Sequence, residues 1–379
     1  MLGSKPVVSL DIGSDKVKAI QLKKKGSAIE LERFGMADVY PNGDKATFSG
    51  DKRAALIQAA RKAMDDANIN AKHCVSAISG ESIIVRYIQL PKMPEDELRN
   101  ALRWEAEEYI PFHIDEVNLD SVILGESTEQ GKLDVLLIAA KKDMVNEHTE
   151  LIKSLGLTPT IVDVDSFAFL NCYEGNYQPD QNACVCLLNI GAEITNINIY
   201  IGGTSRFSRD ITVAGDAITG SIMQKTGMTY QRAEESKITS GAPMPDDEEA
   251  PEEEESSLIS SIRGTVERMT GAEAAEEGDA SASKAVRNVL LNLVGEVRRS
   301  IQFFENQAGG ATVQKIIMGG GTSRMNNLDR FLQMELEVPV ETLDPLRNIK
   351  MGSGLDTNLL ETYRQHMGVG IGLSLRKVM

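Results

Sequence analysis

Three glycine turns carry the residues that could do chemistry. Leu10-Asp11-Ile12-Gly13-Ser14-Asp15 lies between two strand-like segments, and Leu188-Asn189-Ile190-Gly191-Ala192-Glu193 repeats its pattern 178 residues further on. A hairpin turn built on glycine lets main-chain N–H groups come close to a phosphate. Ser14 adds a hydroxyl donor. Asp11, at a strand end, suits the hydration shell of Mg²⁺, an ion that keeps its waters and takes few protein carboxylates. The third turn, Gly319-Gly320-Gly321, follows the apolar strand Ile316-Ile317-Met318 and precedes a helix. A flat base or an α-phosphate can lie against backbone there, with a helix N-terminus favouring negative charge. Two facing hairpins would clamp a triphosphate from both sides, and so wide a spacing marks a duplicated domain half rather than a short repeat. The plain alternative is that Gly13 and Gly191 are ordinary hairpin glycines.

The elements around these turns follow from periodicity. Strands are predicted over 7–12, 17–22 and 28–34, then a helix over 51–67 with Ala55, Leu56, Ala59, Ala60 and Ala63 on one face. Strands near 74–78, 82–90, 117–125 and 132–140 follow, with helices over 95–109 and 143–155 and a strand over 160–164. In the 95–109 helix, Pro94 and the acids Glu95, Asp96 and Glu97 suit the N-terminal dipole. Leu98, Leu102 and Tyr109 share a face, and Trp104 lies off it: a partner contact, or a side chain packed under a neighbouring loop. A second three-strand run covers 183–213, and helices are expected over 216–226 and 229–239. The longest helix runs from Lys284 to about Asn306 on a stripe of Val286, Leu290, Leu293, Val297, Ile301 and Phe304. A strand over 312–318, a helix over 326–336, a strand over 338–341 and a helix-like Gly368-Val-Gly-Ile-Gly end complete the chain.

Composition narrows the classes. The 379 residues carry 40 Lys and Arg against 56 Asp and Glu, a formal charge of −16. That argues against a nucleic-acid partner, which requires a basic stripe. A hydrophobic share of 41% suffices for cores, and the length suggests two or three domains. No apolar run approaches a membrane span, and Met1–Pro6 has no signal-like apolar region, so a cytoplasmic protein is expected. Asp246–Glu255 holds eight acids in ten residues, inside a compositionally distinct insertion over 241–282 read as a solvated loop. Cys184 and Cys186, with Cys74 and Cys172, read as small core residues, and the four scattered histidines have no metal-ligand spacing.

Asp11-Ile-Gly-Ser resembles the first phosphate motif of the actin/hexokinase/chaperone superfamily, Asn189-Ile-Gly-Ala the second, and Met318-Gly-Gly-Gly-Thr-Ser its adenosine motif. Val162-Asp163-Val164-Asp165-Ser166-Phe167-Ala168 and Gly368-Val-Gly-Ile-Gly resemble the two connecting segments, and Ala233-Glu234-Glu235-Ser236-Lys237 the segment that touches ribose and base. Within the superfamily, Glu81 to Phe112 resembles a signature of the PilM family of type IV pilus assembly proteins, on the FtsA-like branch. The resemblance implies an α/β fold of duplicated, actin-like ribonuclease-H-type domains with an FtsA-like (SHS2) inserted subdomain. The expected division is 1–34, 156–182 and 366–379 for the first actin-like subdomain, 35–155 for the insertion, and 183–365 for the second half.

It further implies ATP and Mg²⁺ as cofactors. Asp11 would hold Mg²⁺ through water. Gly13, Ser14 and Lys16 would face the β- and γ-phosphates, with Asn189, Gly191, Ala192 and Thr195 opposite. Glu234 and Lys237 would flank ribose and base, and Gly319, Gly320 and Gly321 the α-phosphate and base. Asn189 stands where hydrolysing relatives often have Asp, so slow hydrolysis at most is expected. Asp163 and Asp165 are the catalytic candidates for the alternative of a small-molecule kinase; a filament-forming, FtsA-like division protein is the other alternative. The implied partner is the cytoplasmic N-terminal tail of the membrane protein PilN, in a groove between the first subdomain and the insertion, with other pilus inner-membrane and motor components. No amphipathic segment follows the last connecting segment, so attachment to the inner membrane is expected to run through protein partners.

Overall fold

A computed structural model describes residues 6–127, 129–180, 182–244 and 272–378. The chain begins with an antiparallel meander of β1 (Val7–Ile12), β2 (Lys16–Lys25) and β3 (Ala28–Asp38). Helix α1 (Lys52–Asp66) then crosses back so that β4 (His73–Ile78) pairs parallel to β1. Asp51 caps that helix, its carboxylate accepting from the Arg53 N–H. Ala55, Ala59, Ala60 and Ala63 form its buried face. After β4 comes an inserted unit: β5 (Ile83–Pro91), α2 (Glu95–Tyr109), β6 (Val117–Glu126) and β7 (Lys132–Lys141), with strands in the order β5-β7-β6. Helix α3 (Lys142–Ser154) leads back to β8 (Thr158–Val164), which pairs parallel to β4.

The second half repeats this plan. Strands β9 (Cys184–Ile190), β10 (Thr195–Ile201) and β11 (Thr204–Ile211) form the meander. Helices α5 (Gly215–Thr226), α6 (Tyr230–Ser240) and α7 (Ala272–Gln307) precede β12 (Lys315–Gly319), parallel to β9. After α8 (Leu328–Leu336), β13 (Val340–Thr342) pairs parallel to β12. The two sheets therefore share one order, β3-β2-β1-β4-β8 and β11-β10-β9-β12-β13, which is the duplication expected from the hairpin motifs.

Two helices lie between the sheets: α4 (Asp165–Tyr177), directly after β8, and α10 (Gly368–Val378) at the end of the described chain. One core joins Val75 and Ala77 of the first sheet to Val185, Leu187 and Ile317 of the second through Phe169, Leu170, Ile371 and Leu373. The two helices touch at backbone distance, because a Cβ on Gly372 would sit 1.7 Å from the Ala168 carbonyl oxygen.

Several sequence expectations change. The insertion is narrower than 35–155: α1 and β4 belong to the first sheet and its core, as does Ile152 of α3. Alternating apolar strands look alike in sequence whichever sheet they join. Strand β14 (Lys350–Met351), expected in the second half, pairs with β3, and α9 (Thr357–Tyr363) follows it. Helix α7 starts at Ala272, inside the expected insertion 241–282, and Ala242 at the other end of that segment is buried. The acidic run Asp246–Glu255 lies outside the described residues. In α2 the core face is Leu102 and Ala106, followed by Ile110. Tyr109 is exposed because the helix ends there and the extended Ile110 takes the buried place. Cys74, Cys172, Cys184 and Cys186 are all buried and free.

Gly372→Ala tests the helix contact. A methyl group there must push α10 off α4, so the urea midpoint should fall by the equivalent of about 3 kcal/mol. An unchanged midpoint would show that the helices have room to part.

The cleft between the two hairpins

The turns joining β1 to β2 and β9 to β10 open onto one cavity of about 840 Å³, and both Ser14 and Ala192 line it. Each turn sits where a buried apolar strand ends. Asp11 pairs across the hairpin with Lys18, and the register places their side chains together. They form a buried ion pair at 2.9 Å. In the second hairpin the corresponding strand carries Asn189, whose Nδ2 donates to Asn196 Oδ1 at 2.7 Å. The third glycine turn locks onto the second hairpin, since Thr322 Oγ1 donates to the Gly191 carbonyl at 2.8 Å.

Most expected residues meet in this cavity. Asp11, Gly13, Ser14, Lys16, Asn189, Gly191, Ala192, Glu234, Lys237, Gly320 and Gly321 all line it. Thr195 does not. Strand alternation turns it to the core face with Ile197 and Ile199, and its hydroxyl donates to the Val213 carbonyl at 2.8 Å. Gly319 lies behind the wall against Phe169. Of the catalytic candidates, Asp165 lines the cleft, whereas Asp163 is buried in an ion pair with Arg376. Trp104 does not line this cavity and is 75% exposed, so no neighbouring loop among the described residues covers it.

Lys16 is committed elsewhere. It pairs with Asp38 and, at 3.3 Å, with Asp15. Burial disfavours its charge, but these carboxylates outweigh that and raise its pKa. Lys18 is the cation at the cleft floor. No motif marks it in the sequence, although simple hairpin pairing places it opposite Asp11. Arg324, Tyr363 and His366 also line the cavity. The Arg324 guanidinium lies 5.5 Å from the Tyr363 ring centre. His366 is kept neutral by burial, reinforced by Lys18 and Arg324. Lys237 is 4% exposed and donates to Glu234 at 2.5 Å and to Thr219 at 3.0 Å.

Two charge arrangements dominate the site. Asp165 faces Asp11 on the floor, and burial together with that neighbour pushes its pKa up to about 7. Two carboxylates side by side with one lysine leave negative charge to be met by a cation. Among the described residues no group of three or more metal-ligating side chains forms a closed site. The Asp11 and Asp165 pair instead suits an ion that keeps most of its waters. At the mouth, Lys45 of the first half reaches across to Glu193 and, at 2.6 Å, to Asp216, both of the second half. Lys52 adds a longer contact to Glu193 at 3.6 Å.

A second hollow of about 950 Å³ lies where the inserted unit meets the second half. Tyr87 of β5 meets Ser205 of β11 at 2.5 Å, and Arg206 meets Asp134 at 3.1 Å. Beyond these contacts, Ile83, Val85, Val164, Phe207 and Phe303 give the hollow apolar patches, and Arg86, Arg209, Asp210 and Arg299 make the rest of its lining polar. Both β5 and β11 are edge strands of their sheets. The walls of the hollow include β11 and α7 of the second half, so it lies at a different boundary from the groove expected between the first subdomain and the insertion.

The family described as Type IV pilus assembly protein PilM matches residues 9–263 and 274–378. A solved structure of a PilM-PilN type IV pilus biogenesis complex is 27% identical, covers 98% of each chain and superposes with a TM-score of 0.78. The cell division protein FtsA of Escherichia coli K12 is 23% identical over 374 residues, covering 90% of this chain and 84% of its own. The structure of MreB 5 of Spiroplasma citri bound to AMPPNP shares the fold, with 13% identity, 99% and 96% coverage and a TM-score of 0.50. The fold is thus actin-like.

Two outcomes check the electrostatics. Lys18→Met leaves Asp11 buried without its cation and should lower stability by about 3 kcal/mol in urea unfolding; a loss within error would mean the pair is solvated. Asp165 has a folded pKa above its unfolded value, so wild-type stability falls as pH rises from about 4 to about 7. Asp165→Asn removes that loss and should melt above wild type at pH 8, with the advantage shrinking toward pH 5.

Proposed function

The chain belongs to the PilM family of type IV pilus assembly proteins, and on that premise we propose that it is an ATP-binding scaffold which holds the tail of a PilN-type membrane protein. The carrying observation is the convergence of both hairpins and the Gly320–Gly321 turn on one cavity large enough for a nucleotide. Main-chain N–H groups of residues 13–15 and 192–193 would hold the β- and γ-phosphates, the Gly191 N–H being bonded to the Ile194 carbonyl. Asp11 and Asp165 would hold the hydrated Mg²⁺, whose role is to neutralise phosphate charge. Lys18 replaces Lys16 as the phosphate-facing lysine in this reading. Arg324 and Tyr363 supply flat surfaces for the base, and Glu234 and Lys237 border the ribose.

Slow hydrolysis fits the same floor. Asn189 keeps an amide oxygen but brings no charge, and its nitrogen is already bonded to Asn196. Asp165, which would share the hydrated Mg²⁺ with Asp11, is also the floor carboxylate placed to orient one of its waters. The hollow beside β5 is the proposed seat of the tail. Its apolar patches and the edge strand β5 suit an extended peptide that adds main-chain hydrogen bonds and buries alternate side chains. Among the described residues no helix is long and apolar enough to cross a membrane, so an inner-membrane location would come through this partner. Family membership favours this reading over a filament-forming division protein or a small-molecule kinase.

Titration calorimetry with Mg-ATP should show binding to the full chain, weakened about tenfold or more by Asp11→Ala. Absence of heat with wild type at millimolar nucleotide would end the nucleotide reading. A synthetic PilN-type tail should bind wild type and lose affinity on Phe207→Asp; equal binding to both would place the tail elsewhere.

A further inference from the structure

The two cavities share a thin polar wall. On the cleft side, Asn189 Nδ2 donates to Asn196 Oδ1 at 2.7 Å. Asn196 Nδ2 donates onward to Asp210 Oδ1 at 2.7 Å. The other oxygen, Asp210 Oδ2, accepts the Gly80 main-chain N–H at 2.6 Å. Asn189 and Asn196 line the cleft, while Asp210 and Gly80 line the second hollow. Gly80 is the turn that carries the chain from β4 into β5, with φ at +116°, a conformation that side chains with a Cβ rarely adopt. It is therefore the root of the inserted unit. Its neighbour Ser79 lines the cleft, as does Asp165 on the floor.

The direction of this chain is not free. An ionised carboxylate only accepts hydrogen bonds. Asp210 thus obliges Asn196 to present its nitrogen, which leaves the Asn196 oxygen for Asn189. Asn189 in turn must present its own nitrogen, and its oxygen faces the third glycine turn, where a Cβ on Gly320 would lie 2.7 Å away. The amide orientation at the cleft floor and the anchoring of the inserted unit are set by one carboxylate. We propose that Asn189–Asn196–Asp210–Gly80 is a hydrogen-bonded relay through which occupancy of the cleft alters the hold on the root of the inserted unit. Asp210 is the positioning residue. The relay rests on the nucleotide reading only for the identity of the ligand that works it. A group that pulls on the Asn189 side chain weakens or strengthens the bond at Gly80, and the equilibrium shifts by the difference in that group's affinity for the two arrangements.

The test reads the far end of the relay while perturbing the near end. In the full chain with glycine-selective ¹⁵N labelling, amide exchange of Gly80 is measured by NMR. Asn189→Ala should speed it by about three- to tenfold. The Gly352 amide, bonded to the Leu31 carbonyl at the far edge of the first sheet, should be unmoved. Asn189→Asp, which keeps the side-chain size but cannot donate to Asn196, should loosen Gly80 at least as much. A Gly80 rate unchanged in both variants overturns the relay, whether or not nucleotide binds. Saturating Mg-ATP should change the Gly80 rate in wild type and leave it unchanged in Asn196→Ala. Mg-ATP that binds without moving Gly80 in wild type overturns the coupling. Mg-ATP that does not bind at all removes the nucleotide reading and leaves the Asn189 variants to decide the relay.

Discussion

The contact between α4 and α10 is the constraint on which the rest depends. Each sheet has an apolar inner face that must be covered, and the two helices between them cover both at once. Because Gly372 lets α10 rest directly on the Ala168 backbone, the layers sit close enough for the hairpins at their strand ends to face each other. A bulkier helix pair would set the hairpins apart. The cleft is therefore a product of core packing rather than of the loops themselves.

Charge then decides how that cleft behaves. The floor combines Asp11, Asp165 and a single paired lysine, and the mouth is spanned by Lys45. Lys45 has its pKa raised: burial opposes its charge, and the bonds to Asp216 and Glu193 more than offset this. Partly exposed, the bridge contributes about 1 kcal/mol at most, enough to bias closure and too little to prevent opening. Lys45 thus ties the two halves together across the mouth, and a cation on the floor would relieve the Asp11–Asp165 repulsion.

Much of this was legible in sequence because period-two strands with glycine turns leave a strong local signal. Both meanders, most helices and the two hairpins fall where alternation and turn chemistry place them. Helix α4 was missed because it is covered by sheets on both sides. Ala168, Phe169, Leu170, Cys172 and Tyr173 are buried all round it, so no stripe at helical spacing appears. The motif resemblance points to Lys16, whereas cross-strand register, which a motif does not carry, sets Lys18 beside Asp11. Thr195 was assigned to the cleft from its closeness to Gly191, and strand alternation turns it to the core. The width of the insertion was misjudged because sheet membership is a long-range property that no local window carries.

The inserted unit shows how that long-range property matters. It leaves the first sheet at Gly80, yet its contacts are with β11 of the second half, through Tyr87 and Ser205 and through Asp134 and Arg206. It therefore bridges the two halves instead of riding on one. Any relative movement of the halves must either break these contacts or be absorbed where the unit is rooted. Breaking them would lose the Tyr87–Ser205 hydrogen bond and the Arg206–Asp134 ion pair together. Absorbing the movement at the root involves only the glycine turn and its single bond to Asp210. Of the two, the root is the softer element, and it borders both the cleft wall and the hollow beside β5. An actin-like cleft and an inserted unit need no long mechanical path to sense each other here, because Asn196 of the cleft wall bonds directly to Asp210 of β11, which lines the hollow.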